Sequence, residues 1–206
     1  MSRRKTMAFL SRLVFAFASI SIFCLTSAIA QPLDAKKALA EPNTYVGSEI
    51  CRTCHLEHYD AWQRTLHSKM LQDVSENEDV IVVDLDNEVM KTDFKEIEGK
   101  LKIPLDQVYF PKREDVKYTI GSQWKQRYLV QKDGTYYIAP TQFNIDTGRL
   151  VNYHEKDWDQ RPWLLKCGGC HATGVNLDKE SFLEPGVGCE ACHGPGSHHA
   201  ALPAAE

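Results

Sequence analysis

Hydrophobic and polar positions divide the chain into stretches with different periods. Leu13 to Ala30 carries no charge and follows the basic Arg3, Arg4, Lys5 and Arg12. It closes on the small residues Ser27-Ala28-Ile29-Ala30, which predicts a secretory signal over 1–30 with cleavage after Ala30. At ~18 residues the run also stands near the lower limit for a membrane span, so an uncleaved anchor is the alternative. Residues 31–44 are polar, with Pro32 and Pro42, and read as a linker. Ser48 then occupies an N-cap position with Glu49 in the first turn, and no Gly or Pro interrupts Ile50 to Met70, which predicts one helix. Val80-Ile81-Val82-Val83-Asp84-Leu85 has the composition of a strand. Tyr128 to Gln131 and Thr135 to Ala139 flank Lys132-Asp133-Gly134, a hairpin signal. Beyond Trp158 short helices and loops are expected, ending in Gly194-Pro195-Gly196. The elements predict an α+β domain over 45–206, mostly short helices and loops with a small β-hairpin insert.

Beyond the leader, where Cys24 reads as a core residue, every cysteine falls in a Cys-x-x-Cys-His motif. These are Cys51-Arg52-Thr53-Cys54-His55, Cys167-Gly168-Gly169-Cys170-His171 and Cys189-Glu190-Ala191-Cys192-His193. Two thiols at this spacing can add across the vinyl groups of one haem, and the next histidine becomes its proximal ligand. The bland reading of one Cys-x-x-Cys is a zinc site or a redox disulfide. Three copies, each followed by histidine and with no cysteine over to complete a zinc set, favour three covalently attached haem c groups. Short helices and loops would then wrap the haems. The second and third motifs are separated only by residues 172–188, so contact between those two haems is expected, with the first brought back by the fold.

Charge narrows the partners. With the leader's four basic residues removed, 20 basic residues face 28 acidic ones, a net of −8. An acidic surface argues against nucleic acid and for cationic or simply polar redox partners, with other cytochromes or redox proteins expected in that role. Membrane contact is expected only if the N-terminal segment stays uncleaved. The export signal points to the periplasm, with the extracellular face as a further destination.

Five histidines lie outside the motifs. His58 sits three residues after His55, on the same side of the expected helix, where it cannot reach the opposite face of that haem. His67 lies ~18 Å along such a helix from His55 and could cap a neighbouring haem. His198 and His199 follow Gly194-Pro195-Gly196, and one of them, with a lean to His198, is expected to cap the first haem. His154 reads equally as a ligand or as a hydrogen-bonded surface histidine. Met70 and Met90 are alternative sixth ligands, though a lone Met more often packs.

Residues outside the haem motifs carry a family resemblance. Tyr45-Val46-Gly47-Ser48 before Cys51, then Tyr59, Trp62 and Thr65-Leu66-His67-Ser68, resemble the opening of cytochrome c-554/c-prime family proteins. Tyr118-Thr119-Ile120-Gly121-Ser122 with Gln126-Arg127-Tyr128 resembles that family too. So do His171-Ala172-Thr173-Gly174 and Gly188 to Ser197 with the histidine after it. The resemblance implies a periplasmic multihaem c-type cytochrome with paired haems, mostly bis-histidine ligation and a role in electron relay. It implies that His67, and His198 or His199, are distal ligands. The chain departs from tetrahaem members in having three attachment motifs and stopping at Glu206.

The expected function is electron transfer between redox partners in a respiratory chain, with no catalytic residues. Two alternatives stay open. One is a redox enzyme acting on a small nitrogen or sulfur oxyanion at a five-coordinate haem. The other is a subunit of an extracellular electron conduit.

Overall fold

The computed structural model describes residues 35–202; the leader and the first part of the linker lie outside them. Helices α1 (Ala35–Ala38), α2 (Ser48–Arg52), α3 (Leu56–Gln63) and α4 (Asn87–Glu96) occupy the first half. α5 (Gly169–His171), α6 (Cys189–His193) and α7 (Ser197–Ala200) are single turns near the C-terminal end. Strands β1 (Leu71–Asp73), β2 (Val116–Ile120), β3 (Lys125–Lys132), β4 (Thr135–Asn144) and β5 (Arg149–Asn152) form one antiparallel sheet in chain order. β6 (Ala172–Thr173) and β7 (Glu184–Pro185) form a second, two-stranded sheet. The α+β expectation holds, with a five-stranded meander where a hairpin was expected.

The expected hairpin lies at the centre of that meander. Asp133 and Gly134 both have positive φ, 51° and 84°, the pair a tight turn between right-twisted strands requires. The strands pair from Lys132 with Thr135 onward.

The long helix expected from Ile50 to Met70 is instead two short ones, and hydroxyl side chains explain the breaks. Thr53 Oγ1 donates to Ile50 O at 2.8 Å where α2 ends. Thr65 Oγ1 donates to Trp62 O, and Ser68 Oγ to Gln63 O, where α3 ends. Each hydroxyl takes a carbonyl that a continuing helix would have used. Ser48 is not an N-cap: Gly47 holds that position at φ 86°, and the serine side chain bonds elsewhere.

Val80 to Leu85 is not a strand either. Residues 78–80 make a 3-10 turn, and the buried Gln126 side chain satisfies the next backbone groups. Its Oε1 accepts from Val82 N–H at 3.1 Å and its Nε2 donates to Val80 O at 2.8 Å. One amide side chain thus replaces a ladder.

Each face of the large sheet buries a core. Met90 and Phe94, one turn apart on α4, are fully buried with Val116, Tyr128, Val130 and Leu150. Met90 is therefore packing. On the other face Leu71, Ile120, Leu129 and Ile138 meet Trp163, Leu164 and Ala172, the residues that flank the second motif. Among the described residues no helix is long and apolar enough to cross a membrane.

A buried carboxylate closes the α4 side. Glu155 accepts from Lys102 N–H at 2.7 Å and from Asn152 Nδ2 at 2.9 Å. Burial pushes its pKa up, but these bonds outweigh it and hold the group below its ordinary 4.5. A lowered carboxylate contributes stability above its unfolded pKa and loses it as pH falls through the folded one. Glu155→Gln is expected to cost ~1–2 kcal/mol at neutral pH. Urea midpoints should then fall less steeply with acidification in the variant than in the wild type; parallel curves would count against this.

Candidate haem-binding site

Each motif occupies about one helical turn, which sends its two cysteines to the same side. In the first, α2 carries Cys51, and His55 N–H closes on Cys51 O at 2.9 Å just before α3. In the second, a widened π-helical turn over Leu164–Gly168 runs into α5, an irregularity often found at functional sites. In the third, α6 ends at Gly194 with φ 78°, whose N–H bonds Glu190 O at 3.0 Å. Among the described residues the six motif cysteines are unpaired; Cys51, Cys167 and Cys189 are half-buried, and Cys54, Cys170 and Cys192 are exposed. Burial pushes the Cys51 thiol up, and the neighbouring Cys189 and Glu190 add to it. Burial also pushes Cys167 up, against the opposing pull of Arg161 and Arg127.

Residues 184–190 tie the three motifs together. Thr173, two residues after His171, accepts from Gly188 N–H at 2.8 Å and donates to Gly186 O at 3.0 Å. Ser48 Oγ accepts from Cys189 N–H at 3.0 Å and donates to Glu184 Oε2 at 2.8 Å. The first N–H groups at α6 are thus satisfied by side chains that flank the other two motifs. Glu190, inside the third motif and buried, accepts from Val46, Gly47 and Gly196 N–H at 2.7–3.0 Å. The short spacing between the second and third motifs does bring them together through Thr173. The first is bound to the third at least as closely, through Ser48, Glu184 and Glu190.

The histidines fall into distinct settings. His55 and His199 lie with ring centres 6.0 Å apart and planes within 16°. His58 is 6.3 Å from His55 at a 44° tilt. His198 turns away, its Nε2 2.7 Å from Glu41 O. His67 stands in the turn after α3 with an exposed side chain, and its carbonyl accepts from Val187 N–H, two residues before Cys189. The helix that would have carried it ~18 Å from His55 does not extend that far. His154 adopts φ 53°, packs edge-on to Tyr153 at 4.6 Å and lies 3.6 Å from Asp157. It lines a small cleft with Cys167. His193 is exposed. His171 borders a cleft of about 220 Å³ shared with Met70, Ile120, Trp124 and Arg127, and its Nδ1 is buried with no hydrogen-bond partner among the described residues.

The sequence reading missed Ser48, Thr173, Glu184 and Glu190 as ties between motifs. Glu190 carried a signal in retrospect, being an acid held between two thiols. The others are polar residues whose partners lie far away in sequence.

These features fit haem c. The thiols come in Cys-x-x-Cys pairs, and each pair adjoins a histidine. Apolar side chains around the motifs, Ile50, Leu56, Leu66, Trp124 and Leu165, are 40–63% exposed, a surface that a porphyrin would cover. Among the described residues no three His, Cys, Asp or Glu side chains converge as a metal held by protein alone requires.

Comparison with known proteins agrees. In solved structures the chain resembles the outer cell wall cytochrome OcwA, with a TM-score of 0.56, 23% identity and 76% of this chain covered. It also resembles an undecaheme cytochrome from the S-layer of Carboxydothermus ferrireducens, with a TM-score of 0.52, 25% identity and 78% covered. It spans 32% of the first and 22% of the second. No curated protein sequence matches the chain. The family model for cytochrome c554 and c-prime matches residues 50–102 and 141–194, which hold all three motifs. With its paired thiols, adjacent histidines and matched segments, the chain belongs to the cytochrome c554 and c-prime family.

Proposed function

We propose that the chain carries three haem c groups and relays electrons between redox proteins, other cytochromes among them, outside the cytoplasm. The observation that supports this reading is that the segments carrying the three Cys-x-x-Cys-His motifs are joined by one hydrogen-bonded node. Haem c supplies a reversible one-electron iron couple whose potential follows its ligands and surroundings. Cys51 and Cys54, Cys167 and Cys170, and Cys189 and Cys192 would anchor the groups. His55, His171 and His193 would be the proximal ligands.

His199 is the better candidate than His198 to cap the first iron. The His199 ring centre lies 6.0 Å from that of His55 with the planes within 16°, so the two imidazoles would hold one iron between them. His198 already meets a backbone carbonyl. His67, tied beside the third motif, is the candidate for the third iron. Export is supported by the leader and by the cell wall and S-layer descriptions of the two similar structures.

Intact mass of the purified protein should exceed the processed polypeptide by three haems, and redox titration should resolve three one-electron steps. A colourless product would end the reading. His199→Met is expected to raise one step alone, since a His/Met pair sits higher than bis-histidine. If His198→Met moved that step and His199→Met moved none, the assignment would reverse.

A second reading, an enzyme acting on a small nitrogen or sulfur oxyanion, is favoured by one observation. Among the described residues the cleft at His171 has no second histidine in its wall, Met70 being the one sixth-ligand candidate there, and His154 lines a different cleft. Carbon monoxide binding to the reduced protein separates the two; capped irons do not respond.

A further inference from the structure

The surroundings of the three motifs differ in charge. Arg127 of β3 shares the cleft with His171, and two tethers hold its guanidinium there. It lies 3.9 Å over the Tyr153 ring, and its Nε donates to Gln142 Oε1 at 2.8 Å. Lys69 and Lys125 line the same cleft, and among the described residues no carboxylate does. Arg161, with Lys166, borders the adjoining cleft at Cys167. The node joining the first and third motifs is built instead from Glu184 and Glu190, and Arg52, the cation inside the first motif, is paired with Glu49 at 3.6 Å.

A fixed cation stabilises an added electron, and Arg cannot lose its proton to cancel the effect. In a half-buried site this attraction exceeds its value in water. The proximal histidine adds to it. His171 Nδ1 is buried with no hydrogen-bond partner among the described residues, whereas a bond from that nitrogen would make the imidazole a stronger donor and favour the oxidised metal. Carboxylates at the other two motifs act in the opposite sense.

We propose that Arg127 makes the site at Cys167–His171 the strongest electron acceptor of the three, so that electrons entering at the first and third motifs drain toward the sheet. This rests on the reading that each motif carries a haem. Each transfer moves one electron from one site to the next. No bond forms or breaks, and the guanidinium already supplies the balancing charge. Arg127 acts as a positioning and potential-setting residue; it takes no part in any bond.

The test is spectroelectrochemical titration of the full haem-loaded protein. In Arg127→Gln the reduced-to-oxidised ratio of the most positive step, read at fixed potential, should fall about tenfold, which is 59 mV for one electron. The other two steps should stay in place. Arg127→Lys keeps the charge but not the planar stack on Tyr153, and should shift the same step by about threefold. Removing both anchors, Cys167→Ala with Cys170→Ala, should delete that step and leave the lower two. An unmoved top step in variants that still carry three haems by mass overturns the role of Arg127 alone. So does deletion of a lower step in the anchor variant. A wild-type mass short of three haems overturns the functional reading and this inference with it. Should Arg127→Gln not fold, the lysine variant and Tyr153→Leu, which removes the ring beneath the guanidinium, read the same step.

Discussion

Replacing Glu190 by alanine is expected to destabilise the protein by about 3–5 kcal/mol, because three bonds from N–H groups to a buried carboxylate are lost together. The N–H groups of Val46, Gly47 and Gly196 would be left without their acceptor. Two of them begin the segment that carries the first motif. The third, Gly196, precedes α7, where His199 faces His55. One substitution therefore acts at both ends of that pair. The denaturant midpoint, followed by circular dichroism, should drop. Electron paramagnetic resonance of the oxidised protein should show a new high-spin signal as His199 loses its register. Glu190→Gln keeps one acceptor oxygen and should recover part of both. Wild-type stability in the alanine variant would mean that the node does not hold the first motif to the third.

The second large effect is expected from the double substitution of Cys167 and Cys170 by alanine. The product should be lighter by one haem and should still fold. Leu71, Ile120, Leu129 and Ile138 remain buried against Trp163 and Leu164, and the opposite face keeps Met90 and Phe94. The tie between first and third motifs does not pass through residues 167–170. The matching change at Cys51 and Cys54 should be far more damaging. In that segment α2 packs mainly against α3 and α6, and the two helices α2 and α3 expose Ile50 and Leu56, which a porphyrin would cover. Expression yield and the thermal midpoint of the two variants compare these directly. Equal loss in both would argue that the sheet is not an independent support.

The motif spacing was readable because it is local. Cys-x-x-Cys-His needs one helical turn, and each copy forms one or nearly so. The Asp133-Gly134 turn was readable for the same reason, since two adjacent residues bear the whole conformational demand. The misreadings also share a cause. The helix to Met70 and the strand at Val80 to Leu85 were inferred from the absence of breakers and from composition. What decided them was where a hydroxyl of Thr53, Thr65 or Ser68, or the amide of Gln126, found a backbone partner.

By itself, then, the amino-acid sequence determined the Cys-x-x-Cys-His motifs, the family and the mixed architecture, because each rests on residues close together in the chain. Which motifs adjoin, that His199 rather than His198 faces His55, and that Arg127 sits by His171 were decided only by the tertiary structure. Those relations join residues as much as 144 positions apart. They depend on buried hydrogen bonds and on the charge placed beside each motif, for which no local pattern exists.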